Sequence, residues 1–183
     1  MQATSTDPRR GLFSADHEAF RDTVCRFLAQ DVLPFHAQWE KDGRIPRDTW
    51  RKAGAAGILL PMTPDAYGGG GGDFLHTAIV VEEIARVLAT GLTGFSTHSD
   101  IVSPYLLHFG SEALKREWLP RMASGDCVGS IAMTEPSAGS DLKAIRTTAK
   151  RAGQGWRIDG QKTFITNGHH ADRVLVVAKT DPA

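Results

Sequence analysis

The apolar residues of this chain change their spacing near Gly125, and this change divides the sequence into two parts with different secondary structure. Before Gly125, apolar side chains recur every three or four residues, which is the period of an amphipathic helix. After it, β-branched residues partly alternate with polar ones in short runs between glycine-containing turns, a pattern typical of strands. We therefore predict an α+β protein, with an all-α domain at residues 1–126 and the first strands of an antiparallel, β-barrel-like domain at residues 127–183.

Particular residues are expected to begin or break the helices. Ser14, Asp73 and Ser111 stand where N-caps are expected, because their side chains accept hydrogen bonds from the first free amides of a helix. Pro34 is expected to kink the first helix and Pro120 to interrupt the last one. The predicted helices span residues 14–40, 46–56, 74–90, 98–109 and 111–124, and the predicted strands span residues 127–134, 144–151, 155–165 and 173–180.

The composition excludes several classes of protein. Of 183 residues, 41% are hydrophobic, which is enough for a globular core, and 21 basic residues balance 21 acidic ones. The zero net charge gives no electrostatic footprint for nucleic acid or an anionic membrane surface. No apolar run reaches transmembrane length and residues 1–10 lack a secretion signal, so we predict a cytoplasmic protein. Cys25 and Cys127 are predicted to be reduced, buried thiols.

Two motifs that suggest catalysis have simpler interpretations. Five glycines at 68–72 resemble a phosphate loop, but Asp73 follows where a Lys-Ser/Thr pair is required, so a flexible loop is favoured. His98, Ser99 and Asp100 are the residue types of a hydrolase triad. Consecutive helical residues point about 100° apart, however, so a polar patch at a helix start is the better interpretation.

Two charged or metal-binding pairs are interpreted in the same way. His169 and His170 have no third ligand at a useful spacing, so we predict a solvated turn and no metal site. Glu82 and Glu83 diverge on a helix, and Arg86 follows them by four and three residues. Salt bridges, rather than paired acid–base chemistry, are the predicted role of these glutamates.

The strongest functional signal is the pair 130-SIAMTEPSAGSD-141 and 161-QKTFITNG-168. Thr134 offers a hydroxyl where the first strand ends, and strand alternation would place Phe164 and Thr166 on one face of the second. The small-residue loop is predicted to leave backbone amides open to an anionic or carbonyl oxygen, namely those of Ala138, Gly139 and Ser140. From these residues alone, a site for a flat ring carrying phosphates and a tight β turn beside a core phenylalanine remain equally supported.

These two stretches, together with residues 74–86, 98–142 and 156–182, resemble the acyl-CoA dehydrogenase family, and 98-HSDIVSPY-105 before AMTEP is most similar to its long-chain branch. The resemblance implies a helical domain, a middle β domain and a C-terminal helical bundle, with FAD and an acyl-CoA thioester between them. The implied reaction belongs to fatty acid β-oxidation: a base removes the α-proton while the β-hydrogen leaves as hydride to flavin N5. It also implies an electron-transfer flavoprotein as acceptor, homo-oligomerisation of the full-length parent and, in a eukaryote, the mitochondrial matrix.

The resemblance assigns flavin-binding roles to eight residues. Thr134 would hydrogen-bond the pyrimidine side of the ring, the Thr166 hydroxyl would lie near N5, and Ser140 would also contact the CoA portion of the substrate. Phe164 replaces a tryptophan frequent in the family, and Ser137 replaces a frequent glycine. The implied cofactor contacts are Ile131, Met133, Thr134, Gly139, Ser140, Phe164, Ile165 and Thr166.

No catalytic base is assigned. The family's base is a glutamate of the C-terminal bundle, and neither Glu82 nor Glu135 matches its motif. The strands also leave an apolar edge at residues 174–178 uncovered, so we expect the front of a longer protein with little or no dehydrogenation by these residues alone. Three alternatives stay open: an acyl-CoA oxidase on the same scaffold, a non-catalytic or partner-dependent module that binds flavin or acyl-CoA and, more distantly, a hydrolase at His98 and Ser99.

Overall fold

Residues 11–181, the part of the chain that this computed structural model describes, form a helical layer followed by two small β-sheets. The α-helices are α1 (Ala15–Phe27), α2 (Leu33–Asp42), α3 (Arg47–Ala55), α4 (Phe74–Arg86), α5 (Thr93–Ser96), α6 (Ser103–Phe109) and α7 (Glu112–Ala123). Two π-helical segments, Leu28–Val32 and Thr97–Val102, join α1 to α2 and α5 to α6, and short 3-10 turns lie at Asp65–Tyr67, Thr90–Leu92 and Leu142–Ala144. The strands are β1 (Gly129–Ala132), β2 (Thr148–Ala152), β3 (Gly155–Asp159) and β4 (Arg173–Val176).

The three predicted N-caps are present. Ser14 accepts the amide of His17, Asp73 accepts the amide of Leu75, and Ser111 accepts the amide of Leu114. Ser14 and Asp73 each form a capping box in which the third helical residue is a histidine instead of the usual Glu or Gln.

The irregularity expected at Pro34 falls at the π-helical turn Leu28–Val32, immediately before this proline in the first turn of α2. Pro120 lies inside α7 without ending it, because the carbonyl of Pro120 still accepts the amide of Ser124 at 3.0 Å. The predicted interruption at Pro120 is therefore wrong.

Two helix boundaries also move. The helix α4 ends at Arg86 rather than at residue 90, because Leu88 adopts a left-handed conformation (φ +54°) that a helix does not admit. The predicted helix at 98–109 begins earlier, at Thr93, and runs through a π-helical segment into α6. His98, Ser99 and Asp100 accordingly lie inside a continuous helical stretch, and not at a helix start.

The hydrophobic core lies among the helices and against the first strand. Trp50 and Phe95 are both buried in this core, and the centroids of their rings lie 4.6 Å apart. Ile131 of β1 joins the same cluster, which fixes the strand onto the helical layer. Cys127 is buried as predicted, but the prediction is wrong for Cys25, which is exposed on α1 and donates its thiol proton to Glu83 at 3.4 Å.

The sheets combine one antiparallel and one parallel pair. The hairpin β2–β3 is antiparallel, as predicted for the whole domain, whereas β1 and β4 pair in parallel with Gly129 opposite Arg173. A parallel pair needs a crossover of a dozen or more residues, and the stretch between β1 and β4 supplies it. A bridge between Thr148 and Lys179 links the two sheets. Among residues 11–181, every helix is too short or too polar to span a lipid bilayer.

The glycine run at 68–72 is neither a phosphate loop nor flexible. Each of its five amides donates to a backbone carbonyl, with the acceptors lying at Leu60, Pro61, Thr63, Pro64 and Asp65. A Cβ at Gly69 would collide with the backbone of Thr63, so the run needs glycine to pass close to this neighbouring turn. The predicted flexible loop is therefore corrected to a tightly hydrogen-bonded one.

Candidate functional site

The two sequence runs that carry the functional signal meet in the structure. The amide of Thr163 donates to the carbonyl of Thr134 at 3.0 Å, and the Lys162 ammonium donates to the carbonyl of Met133 at 2.9 Å. One turn further on, the Ser130 hydroxyl donates to the carbonyl of Thr166 at 2.6 Å. The second run therefore lies along the first from Ser130 in β1 to Thr134, two residues beyond the end of this strand.

Glu135 anchors this junction. Its carboxylate is buried and accepts hydrogen bonds from the Lys162 ammonium (2.8 Å) and from the amides of Arg146 (2.6 Å) and Thr147 (3.0 Å). The Lys162 ammonium, and then the surrounding hydrogen-bond donors, hold the pKa of Glu135 well below its usual range. A carboxylate that is ionised and fully bonded positions the loop but is poorly suited to take a proton from a substrate.

The loop after Glu135 is a tight turn whose last two residues, Gly139 and Ser140, are exposed. Glu135 and Ala138 exchange both backbone hydrogen bonds, at 2.8 and 3.1 Å, so the amide of Ala138 is occupied and its predicted availability is wrong. The amides of Gly139 and Ser140 have no protein acceptor within residues 11–181, and both residues are exposed. A Cβ at Gly139 would meet nothing within 4 Å, so space remains in front of these two donors.

The second run is a turn, not a strand. Strand β3 ends at Asp159, and both Phe164 (φ +54°) and Asn167 (φ +63°) adopt left-handed conformations. Alternation along a strand therefore cannot place Phe164 and Thr166 on one face, so that prediction is wrong. The Phe164 ring is 92% exposed, which leaves a large aromatic surface uncovered by residues 11–181.

Asn167 fixes this turn to two elements at once. Its side-chain amide donates to the carbonyl of Gly94 in α5 at 2.9 Å and to that of Gly129 in β1 at 3.2 Å. Sequence reasoning did not assign this residue a role. The Asn-Gly pair at 167–168 was the available signal, because asparagine tolerates the left-handed conformation that such turns need.

The eight predicted cofactor residues lie on the two joined runs and differ in exposure. Ile131 is buried, Met133, Thr134 and Ile165 are half-buried, and Gly139, Ser140, Phe164 and Thr166 are exposed. In the described part of the chain no protein group hydrogen-bonds the hydroxyls of Thr134 and Thr166. Two free hydroxyls, two free amides and an uncovered aromatic ring fit a planar, heteroatom-rich ligand that carries phosphate groups.

Thr166 also lines a cleft of about 260 Å³ between the turn and the helical layer. Trp50 lies at the same cleft, and its indole N–H is buried with no hydrogen-bond partner in residues 11–181. The turn that carries Thr166 is therefore separated from the helical layer by this cleft.

The hydrolase interpretation of residues 98–100 does not hold. The Nδ1 atom of His98 accepts the amide of Gly129 at 2.9 Å, and its Nε2 lies 3.1 Å from the carbonyl of Met122. Ser99 instead accepts the amide of Leu60, and Asp100 accepts the Thr77 hydroxyl. None of the three side chains bonds to another, and His98 is fully buried.

The two remaining pairs singled out in the sequence are Glu82–Glu83 and His169–His170. Arg86 lies 3.3 Å from Glu83 and 3.8 Å from Glu82, which confirms the predicted salt bridges. Arg21 of α1, which sequence reasoning did not include, bridges both glutamates, at 2.8 Å in the case of Glu82. His169 and His170 lie in a turn, and they are not members of the potential metal-ligand group found in residues 11–181.

Comparison with known proteins follows the same division of the chain. The sequence profile of the acyl-CoA dehydrogenase N-terminal domain matches residues 14–126, and that of the acyl-CoA dehydrogenase middle domain matches residues 130–183. The long-chain specific acyl-CoA dehydrogenase of Rattus norvegicus, a mitochondrial protein, is 48% identical over 172 residues, which cover 94% of this chain and 40% of the relative.

Solved structures similar to this chain include proteins of the same family. The crystal structure of an acyl-CoA dehydrogenase from Geobacillus kaustophilus superposes with a TM-score of 0.89 at 44% identity, covering 93% of this chain and 44% of that one. A glutaryl-CoA dehydrogenase from Mycobacterium smegmatis in complex with FADH2 gives a TM-score of 0.88 at 30% identity, covering 97% and 45%. The chain spans less than half the length of these relatives, and over that span it belongs to the acyl-CoA dehydrogenase family.

Proposed function

We propose that the protein formed by this chain dehydrogenates a fatty acyl-CoA thioester between its α and β carbons, with FAD as the hydride acceptor. The observation that carries the proposal is the junction of the two runs. The joined runs carry the free Thr134 and Thr166 hydroxyls, the free amides of Gly139 and Ser140 and the uncovered Phe164 ring, and these groups support the proposal. The relative solved with FADH2 supports the choice of flavin.

Each residue would have a defined part in holding the cofactor and substrate. Phe164 and Ile165 would cover the flavin ring on one side and Ile131 and Met133 would border it on the other. Thr134 and Thr166 would hydrogen-bond its heteroatoms, and Gly139 and Ser140 would contact anionic oxygens, with Ser140 also near the CoA portion. When bound, FAD supplies the acceptor for the β-hydrogen. Hydrogen bonds preorganised toward a ring that gains negative charge lower the barrier to that transfer.

No residue of the described chain is proposed as the base. Glu135 is held ionised by its donors, and Glu82 and Glu83 are bridged by Arg21 and Arg86. We place the base in the C-terminal bundle that the family resemblance implies, and expect the 183 residues alone to bind ligand without turnover. The wider proposals are a domain boundary at residues 126/127, a medium- to long-chain acyl substrate and an electron-transfer flavoprotein as acceptor. They also include homo-oligomerisation of the full-length parent and a location in the cytoplasm or, in a eukaryote, in the mitochondrial matrix.

The test is flavin binding by the purified chain. FAD is titrated into the protein, and quenching of flavin fluorescence gives the Kd for wild type, Thr134→Val and Thr166→Val. Loss of one hydrogen bond of about 1 kcal/mol raises the Kd about fivefold, so each variant should bind roughly 3–10-fold more weakly. Thr23→Val is the matched control, since that hydroxyl lies on α1 and bonds to its own helix.

Turnover separates the alternatives. Octanoyl- and palmitoyl-CoA are supplied with an artificial electron acceptor, and enoyl-CoA formation is measured for the 183-residue chain and for a chain extended through the helical bundle. Turnover only in the extended chain supports the proposal, whereas turnover by the 183 residues alone contradicts the placement of the base. FAD binding with no turnover in either chain would favour a non-catalytic module, and rapid oxidation of the reduced flavin by oxygen would favour an oxidase.

A further inference from the structure

The chain contains a single asparagine, Asn167, and Gly168 follows it directly. An asparagine before a glycine is the sequence most open to deamidation, because the second residue has no side chain to hinder its backbone nitrogen. In this reaction the nitrogen of Gly168 attacks the side-chain carbon Cγ of Asn167. The hydrogen bonds around the two residues therefore determine whether Asn167 reacts in the folded chain.

The peptide unit between Asn167 and Gly168 is hydrogen-bonded at both of its polar atoms. The amide of Gly168, which contains the attacking nitrogen, donates to the carbonyl of Ile165 at 2.9 Å. The carbonyl of Asn167 accepts the amides of His170 and Ala171, both at 2.8 Å. Attack requires the Gly168 nitrogen to lose its proton and turn toward Cγ, so the bond to Ile165 must break first.

The side chain of Asn167 is held as firmly as its backbone. Its nitrogen, which deamidation would release as ammonia, donates to the carbonyls of Gly94 at 2.9 Å and Gly129 at 3.2 Å. The residue is half-buried, and a Cβ at Gly94 would collide with Oδ1 of Asn167, so the side chain fits closely against α5. The attacking nitrogen and the leaving nitrogen are therefore both engaged in the native turn.

The products of deamidation do not fit the place that Asn167 occupies. A bond forms between the Gly168 nitrogen and Cγ while ammonia leaves, and water then opens the cyclic imide to give aspartate or isoaspartate. A carboxylate oxygen would then face the carbonyls of Gly94 and Gly129 where the side-chain nitrogen now donates. Three acceptors would meet without a proton between them, which is costly for groups shielded from water. Isoaspartate would in addition insert the side-chain carbon into the backbone.

We propose that Asn167 is a deamidation site which the native turn protects, and that the modified residue can no longer fasten this turn to α5 and β1. Modification follows local opening of the turn, so each opening carries a risk of irreversible change. The Ser130 hydroxyl, which donates to the carbonyl of Thr166 at 2.6 Å, helps to keep the turn closed. Loss of the turn would also displace Thr166. That effect on flavin binding rests on the proposed function, whereas the rates and stabilities measured below do not.

The first experiment measures the rate of deamidation in the 183-residue chain at mildly alkaline pH, by mass spectrometry of the peptide that contains Asn167. Folded wild type should deamidate at least tenfold more slowly than wild type in urea. Folded Ser130→Ala should react about fivefold faster than folded wild type, the factor for one lost hydrogen bond. Ser137→Ala is the matched control and should keep the wild-type rate, because Ser137 is exposed and its hydroxyl bonds to no group in residues 11–181. Equal rates for folded and urea-unfolded wild type would overturn the proposal.

The second experiment compares the products with a variant that only loses the hydrogen bonds. Asn167→Ala and Asn167→Asp lack the same two donors, and aspartate tolerates the left-handed conformation better than alanine does. A larger loss in Asn167→Asp therefore arises from its carboxylate, and urea unfolding should give it an unfolding equilibrium constant at least tenfold above that of Asn167→Ala.

A measurement on the modified wild type covers the case in which Asn167→Asp does not fold. Wild type is deamidated in urea and diluted into buffer, and its circular dichroism is compared with that of wild type held equally long in urea at mildly acidic pH, where deamidation is slow. The deamidated sample should recover a smaller native signal or unfold at lower urea. The proposal is overturned if it refolds with wild-type stability, or if Asn167→Asp is as stable as Asn167→Ala.

Discussion

His98 should make the stability of this chain depend on pH in a way that a single substitution removes. The ring is fully buried, and the amide of Gly129 must donate to Nδ1, so the one proton of the neutral imidazole sits on Nε2 and is donated to the carbonyl of Met122. A second proton would break the bond to Gly129 and place a charge in the core. Burial therefore lowers the pKa of His98 from 6.5 to about 4.

The sign and size of the effect follow from this difference. The unfolded chain takes up a proton near pH 6.5 while the folded chain does not, so the stabilising contribution is complete above that pH and is lost as the pH falls toward 4. One pKa unit corresponds to about 1.4 kcal/mol, so the free energy of unfolding should fall by about 3 kcal/mol over this window, with about 1.4 kcal/mol already lost at pH 5.5.

Urea unfolding at pH 7.5, 6.5, 5.5 and 4.5 measures this directly. His98→Gln should be less stable at pH 7.5 but should lack the component of the pH dependence that His98 supplies. Carboxylates with lowered pKa values, such as Glu135, lose stability at lower pH in both proteins and cancel in the difference. His108→Gln, an exposed control, should keep the wild-type profile. Parallel profiles for wild type and His98→Gln, or an NMR titration of folded His98 near pH 6.5, would show that burial of His98 does not produce this pH dependence.

Two further sets of substitutions test positions where the backbone adopts a left-handed conformation. Asn167→Ala should lower the free energy of unfolding by about 3 kcal/mol, since it removes two hydrogen bonds of about 1 kcal/mol each and places alanine in a left-handed conformation. Asn167→Gly, which keeps the conformation, should cost only about 2 kcal/mol, and equal losses for the two variants would contradict the assignment of strain. Gly125→Ala should cost roughly 2–4 kcal/mol, because a Cβ there meets the Trp50 carbonyl in addition to the unfavourable φ of +78°. Gly43→Ala has a similar φ with nothing within 4 Å, so urea titration should show a loss of only about 1 kcal/mol.

The sequence predicted the class of fold and the motifs of the site, but not how the motifs are built. The N-caps Ser14, Asp73 and Ser111 were correct because a cap involves partners two or three residues away. The helix limits at Arg86 and Thr93 were missed, since the left-handed Leu88 and the π-helical segments depend on packing that propensity does not describe.

The candidate site shows the same division. The runs at 130–141 and 161–168 were correctly singled out, and the structure joins them through Thr163 and Lys162. Strand alternation gave the wrong geometry for Phe164, because Asn167 and Thr163 hold that stretch in a turn through hydrogen bonds to distant parts of the chain.

The change from helix to strand near Gly125, the helix caps and the two motifs that identify the family are all encoded by spacing within a few residues of the sequence. The ionised state of the Glu135 anchor, the parallel pairing of β1 with β4 and the exposure of Cys25 emerge only in the folded chain. In each case the contacts that matter join residues far apart in the sequence, or depend on which surfaces other elements leave uncovered.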